Sequence, residues 1–166
     1  MTGEEVVVEL LIKHKLTLVT AESCTGGMLS GRIVNVPGAS DTFMEGFITY
    51  SNNAKIKYLQ VSPDTLEKYG AVSEQTAREM SVGAVKASGC DVGVAVTGIA
   101  GPGGGTAEKP VGLVYISCHM DGRTFVNEEH FKGSRKQIRE DSVSSALDLI
   151  RRCILEVYGQ NTNSLE

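Results

Sequence analysis

Apolar positions along this chain recur in short runs at helical or strand spacing, separated by polar and glycine-rich punctuation. Thr2-Gly3-Glu4-Glu5 is a capping-box pattern, and Val6, Val7, Leu10 and Leu11 behind it mark one face of a first helix. Residues 16–20, Leu-Thr-Leu-Val-Thr, read as a buried strand. Residues 28–36 carry Met28, Leu29, Ile33 and Val36 at helical spacing and stop near Pro37-Gly38. A second strand is predicted at 46–50. A short helix then starts within 51–55, capped by Ser51 or Asn52. Another begins at 62–65, with Pro63 in its first turn and Gly70 past its end.

Residues 73–88 place Ala77, Met80, Ala84 and Val85 on a long helix closed by Gly89. Residues 91–97 are almost continuously small and apolar, as in a central strand covered on both faces. A glycine-rich loop fills 98–109, and 111–118 with 123–131 form a hairpin around Asp121-Gly122. The last helix spans 134–158 and ends at Gly159, leaving a polar tail over 160–166. Helices alternate with the first three strands, and a hairpin supplies the last two. The expectation is one domain over 1–159, a three-layer α/β/α sandwich around a mixed, mostly parallel sheet.

A chain of 166 residues can bury a core of ordinary size without staples. Its formal net charge of −4 argues against a duplex nucleic-acid binder. The basic residues in 132–139 and at Arg151-Arg152 lie on a helix with acidic neighbours, which is the pattern of a solvated face. Cys24, Cys90, Cys118 and Cys153 are scattered, as are His14, His119 and His130, so neither a C-x-x-C pair nor a zinc spacing occurs. No secretory signal pattern opens the chain, and no run has the length of a membrane span. Reduced thiols, a cytoplasmic location, no membrane contact, no metal and no cofactor are expected.

The chemistry concentrates in Ala21-Glu22-Ser23-Cys24-Thr25-Gly26-Gly27, between a strand end and a helix start. Unpaired N–H groups gather in such a turn and the helix dipole favours negative charge there, so a nucleophile can generate an oxyanion beside donors already in place. An ordinary strand-to-helix turn, with Ser23 or Thr25 as cap, accounts for the same residues. Two further loops follow inferred strands. One offers Tyr50, Ser51, Asn52 and Lys55; the other offers Thr97, Thr106, Glu108 and Lys109 among five glycines.

The glycine loop matches neither G-x-x-x-x-G-K-[ST] nor G-x-G-x-x-G, which leaves a flexible surface loop or a backbone concavity for one phosphate or carboxylate. Tyr50 and Lys55 are five apart, so a one-turn Tyr-x-x-x-Lys pair is excluded. With no histidine near these loops and no G-x-S-x-G elbow, lysine is the natural base for Ser23. Working near neutrality requires a lysine pKa lowered by roughly three units, about 4 kcal/mol.

With these residues assembled, the chain closely resembles the CinA C-terminal family, the nicotinamide-mononucleotide amidases. The resemblance covers roughly residues 3 to 157. It rests on Thr20 to Gly27, Gly46 to Asn52 with Ala54-Lys55, Gly70 to Glu74, Thr97 to Gly105, Glu108 to Gly112, and Phe131-Lys132-Gly133 with Arg135 and Arg139. It implies hydrolysis of the carboxamide of nicotinamide mononucleotide, a three-layer fold, a homodimer and no metal in the chemistry.

By the same resemblance Ser23 is the nucleophile, Lys55 its base, and Tyr50 a neighbour in the site. Arg139 is an electrophilic or phosphate partner. N–H groups at the start of the Gly26 helix, with help from Arg139 or Thr97, would hold the oxyanion. Thr25, Gly26, Gly27, Thr97, Gly98, Gly101, Lys109 and Arg135 would bind the nucleotide substrate. The rivals are a cysteine amidase using Cys24 and a non-catalytic nucleotide-binding or regulatory half of a larger competence- or damage-associated protein.

Overall fold

The computed structural model describes residues 1–159, so the polar tail lies outside the described residues. Its elements are α1 (Gly3–His14), β1 (Leu18–Glu22), α2 (Met28–Val34), a 3-10 turn (Ala39–Asp41), β2 (Phe43–Ile48), α3 (Asn52–Leu59) and α4 (Pro63–Tyr69). They continue with α5 (Glu74–Ser88), β3 (Val92–Gly98), β4 (Leu113–Met120), β5 (Arg123–His130) and α6 (Arg135–Tyr158). The strands form one sheet in the order β2-β1-β3-β4-β5. β1 runs parallel to β2 and β3, and β4 runs antiparallel to β3 and β5, so β4 alone is reversed. Asp121 (φ 51°) and Gly122 (φ 69°) supply the two positive-φ positions of the hairpin between β4 and β5.

Both faces of the sheet are covered. α1, α2 and α6 bring Leu11, Ile33, Leu147 and Ile150 against Leu18, Val94 and Ile116. α3, α4 and α5 bring Leu59, Leu66, Met80 and Ala84 against Val19, Ala21 and Ala95. Adjacent residues of β1 and β3 therefore point into opposite cores, which is why these strands read as unbroken apolar runs. The result is the three-layer α/β/α arrangement around a mixed sheet. No helix among the described residues is long and apolar enough to cross a membrane.

Several boundaries differ from the sequence pattern. α1 buries Val7, Val8 and Leu11 in place of a face through Val6 and Leu10. The Thr2–Glu5 capping box itself is formed, both side chains reaching the opposite backbone N–H. β1 lies two residues later than predicted and ends at Glu22. β2 begins three residues early and ends before Tyr50. β4 starts at Leu113 and not at Val111, because Gly112 has φ 94° and a Cβ there would meet the Phe131 carbonyl oxygen at 1.9 Å.

The chain leaves β1 toward β2 and leaves β3 toward β4, in opposite directions across the sheet. The loops after β1 and β3 therefore part and open a crevice at the carboxyl ends of the two strands. Ligands of open α/β sheets bind at such a place.

Candidate active site

Ser23 is the first residue beyond β1, and its N–H donates to the Val96 carbonyl (2.9 Å). The chain then turns through Gly26 (φ 55°) and Gly27 (φ 101°) into α2. Within the turn, the Gly26 N–H donates to Ser23 O (3.1 Å) and the Met28 N–H to Thr25 O (3.0 Å). Neither Ser23 nor Thr25 caps α2. Its N-cap is Gly27, which has no side chain to offer, and Glu22 takes the role. The wholly buried Glu22 carboxylate accepts the N–H of Leu29 (2.9 Å) and of Ser30 (3.1 Å). These helix-start donors are therefore not available to an oxyanion.

Lys55 comes from the first turn of α3, where the Ser51 side chain accepts the Ala54 N–H. Its side chain is 1% exposed, the largest fully buried one among the described residues. Nζ donates to Ser23 Oγ (3.0 Å), to the Thr49 carbonyl (2.7 Å) and to the Tyr50 carbonyl (3.4 Å). Three acceptors match the three donors of an ammonium. After loss of one proton, the lone pair faces Ser23 while two N–H groups keep the carbonyls. Burial, which penalises the charged form, pushes the lysine down to about 8. The acceptors are held in register because the Thr49 N–H donates to Glu22 O (2.9 Å), one step beyond the β1–β2 ladder.

The dyad opens into a cleft of about 330 Å³, also lined by Cys24, Tyr50, Ala71, Val72, Thr97, Gly98, Ile99, Ala100, Gly101, Gly103, Gly104 and Arg135. Arg135, in the first turn of α6, straddles its mouth. Nη1 donates to Gly101 O (2.9 Å) and Nη2 to the Tyr50 hydroxyl (3.2 Å). Thr97 Oγ1 donates to Ala71 O (2.8 Å), so its proton is committed to holding the Ala71-Val72 wall. The glycine loop is anchored at its base, with the Ile99 N–H on Leu113 O (2.9 Å) and the Gly112 N–H on Ile99 O (2.8 Å). Lys109 Nζ donates to the Tyr69 carbonyl and latches the far end of the loop to α4. Between these two anchors residues 102–108 are exposed.

The fold thus brings together Ser23, Lys55, Tyr50, Thr97, Gly98, Gly101 and Arg135. Thr25, Gly26, Gly27, Lys109 and Arg139 lie outside the lining. Arg139 reaches from α6 to the nucleophile turn, with Nε on Cys24 O (2.9 Å) and Nη2 on Thr25 O (3.1 Å). It braces the turn from behind and does not face a ligand in the cleft. Thr25 is fully buried, and its Oγ1 has no hydrogen-bond partner. Cys24 lines the cleft, but burial pushes its thiol up to about 11, the wrong direction for a thiolate nucleophile. Glu22, Ala71 and Val72 are site residues that the sequence reading did not single out. Among the described residues, no three or more His, Cys, Asp or Glu side chains form a group able to hold a metal ion.

A family model described as CinA C-terminal domain matches residues 2–154. A protein of Alkaliphilus metalliredigens named as competence-damage inducible is 54% identical over 157 residues, covering 95% of this chain and 38% of that protein. The chain thus spans less than half the length of the curated relatives it matches. Among solved structures, the competence/damage inducible protein of Agrobacterium tumefaciens is 41% identical with a TM-score of 0.84, over 90% of this chain and 94% of that one. A competence-damaged protein (CinA) superfamily protein of Klebsiella pneumoniae is 31% identical with a TM-score of 0.89, over 93% and 96%.

Proposed function

The chain belongs to the CinA C-terminal domain family, and from that premise we propose that it hydrolyses the carboxamide of nicotinamide mononucleotide to nicotinic acid mononucleotide and ammonia. The observation that carries the reading is the contact of Ser23 Oγ with a buried, downshifted Lys55 Nζ at the wall of a cleft. A serine needs a base to attack an amide, and a desolvated lysine supplies one without histidine.

Neutral Lys55 takes the Ser23 proton as Oγ bonds to the amide carbon. The oxyanion is held by the N–H of Cys24, which lines the cleft and has no acceptor among the described residues. The charged Lys55 then returns its proton to the departing nitrogen, so ammonia leaves and an acyl-serine remains. Water, deprotonated by Lys55, attacks that ester; the charged Lys55 returns this proton to Ser23 Oγ as the acyl C–O bond breaks, and the acid leaves as its carboxylate. Thr49 O and Tyr50 O hold the ammonium formed in each half-reaction. Arg135, exposed at the cleft mouth beside Gly103 and Gly104, is the cation placed to meet the substrate's phosphate.

The test is ammonia release from nicotinamide mononucleotide by the purified protein and by its Ser23→Ala variant. Release by the wild type that is lost in the variant is expected. Equal release by both would overturn the serine mechanism, and none from either would overturn the activity.

A further inference from the structure

Glu22 is the last residue of β1, and the nucleophile follows it directly. A carboxylate with no exposed surface normally needs a cation or a full set of donors. Its partners here are donors of one helix turn. Oε1 accepts the Leu29 N–H (2.9 Å), and Oε2 accepts the Ser30 N–H (3.1 Å) and the Ser30 hydroxyl (2.6 Å). Ser30 Oγ is itself 2.7 Å from Thr20 Oγ1, so β1 and α2 are tied by a second link on the same face. A negative charge at a helix start is favoured by the unpaired N–H groups there.

The backbone of the same residue reaches the other half of the dyad. The Glu22 carbonyl accepts the Thr49 N–H (2.9 Å), and the Thr49 carbonyl accepts Lys55 Nζ (2.7 Å). One residue therefore holds the nucleophile turn through its side chain and the anchor of the base through its main chain. We propose that Glu22 is a positioning residue, which sets Ser23 Oγ against Lys55 Nζ by clamping the end of β1 to the first turn of α2. Its loss slows attack by Ser23 and leaves ligand binding and the identity of the base unchanged. This inference rests on the serine–lysine reading of the site but not on the substrate.

Labelling of Ser23 by a fluorophosphonate tests it without a natural substrate. Oγ displaces fluoride at phosphorus, and Lys55 takes the proton. Glu22→Gln keeps the shape but turns one acceptor into a donor against the Ser30 N–H. Its labelling rate is expected to fall about 10- to 100-fold. The pH midpoint of labelling should stay at the wild-type value. On nicotinamide mononucleotide kcat should fall in parallel, while KM changes less than about threefold. Ser30→Ala, a milder change at the surface of the same contact, should lose less in the same direction. The double variant should be no slower than Glu22→Gln alone, because the two act through one contact.

Glu22→Gln labelled within about twofold of the wild-type rate, with only its melting temperature lowered, would assign Glu22 to stability and overturn the proposal. If Glu22→Gln does not fold, Ser30→Ala labelled at the wild-type rate overturns it equally. A wild-type protein labelled no faster than Ser23→Ala overturns the serine–lysine reading itself, a result distinct from either.

Discussion

Ser23 Oγ and Lys55 Nζ are 3.0 Å apart although 32 positions separate them in the chain. Parallel pairing of β1 with β2 produces the approach. Ser23 follows the last residue of β1, and Thr49 follows the last residue of β2. The turn into α3 then places Lys55 over the ends of both strands. The lysine side chain is buried along with its amine, which therefore meets the serine desolvated.

Lys55→Ala is expected to lose on the order of 10³-fold or more in turnover, close to the loss in Ser23→Ala. The double variant should be little worse than either, since the pair acts as one unit. Lys55→Arg should fail as well, because a guanidinium stays protonated at working pH. Steady-state ammonia release checks all four proteins. A Lys55→Ala enzyme with most of its activity would leave Ser23 without a base.

The lowered lysine pKa fixes two pH dependences. Activity needs the neutral amine, so turnover should rise with pH through about 8. Stability follows the same group. Above its unfolded value Lys55 is neutral in both states, whereas between about 8 and the ordinary 10.5 the unfolded chain holds the extra proton. This contribution to stability is therefore complete above the unfolded value and is lost as pH falls toward 8. The loss is on the order of 3 kcal/mol. Urea unfolding of the wild type and Lys55→Met from pH 7 to 10.5 should show their stability difference changing by about that amount. A constant difference would mean that the amine is not desolvated.

Much of this site was legible because its residues sit at punctuation. Ser51 caps α3, Pro63 opens α4, Ser73 caps α5 and Ser134 caps α6 on the expected helices. Those caps fix where Lys55 and Arg135 enter the cleft. What stayed hidden was the placement of charge. Glu22 occupies a strand position inside the protein, satisfied by N–H groups of a helix seven and eight residues later. Hydropathy counts a carboxylate as a strand breaker, so the pattern stopped β1 at Thr20. The face of α1 differs from the predicted one through Val6, Val7, Leu10 and Leu11 for the opposite reason, since Val6, Val7 and Val8 are all apolar and only packing selects Val7 and Val8. Arg139 is expected from the resemblance as an electrophilic or phosphate partner, whereas its guanidinium lies outside the cleft lining on the carbonyls of the nucleophile turn. Its two carbonyl contacts exist only once α6 is docked against the turn.

Cys24 borders the nucleophile yet should be dispensable. Cys24→Ala is expected to retain turnover within about threefold of the wild type. With its thiol pushed up to about 11, alkylation by iodoacetamide at pH 7.5 should be far slower than that of a free cysteine. Mass spectrometry of the alkylated protein gives the rate. Rapid modification with parallel inactivation would restore the cysteine reading.

The glycines at the end of β3 and in the loop after it should divide sharply. A Cβ at Gly98 would lie 2.6 Å from Val114 Cγ2 and 2.9 Å from the Leu113 carbonyl oxygen. At Gly101 (φ 78°) it would lie 2.4 Å from Val111 Cγ1. Gly98→Ala and Gly101→Ala should each lower stability by about 1–3 kcal/mol, and both should raise KM by displacing the cleft wall. Gly103, whose Cβ would meet nothing within 4 Å, should accept alanine with little change in stability. Thermal melts of the three variants decide whether the loop is packed or free.

Arg135 and Arg139 sit one helical turn apart on α6 and should fail in different ways. Arg135 faces the cleft and among the described residues is tied only to Gly101 O and the Tyr50 hydroxyl, so it is available to an anionic ligand. Arg135→Ala should raise KM for nicotinamide mononucleotide about 10-fold or more, with kcat changed much less. The penalty should shrink for a nucleoside that lacks the phosphate. Arg139 touches the nucleophile turn through the carbonyls of Cys24 and Thr25 and lies outside the cleft lining. Arg139→Ala should therefore lower kcat, with KM near the wild-type value, and Arg139→Lys should recover little because one ammonium cannot span both carbonyls in the guanidinium's geometry. Measured on the phosphorylated and unphosphorylated substrates, the two variants separate binding from positioning. An Arg139→Ala enzyme that loses KM selectively for the phosphorylated substrate would move the phosphate contact from Arg135 to Arg139.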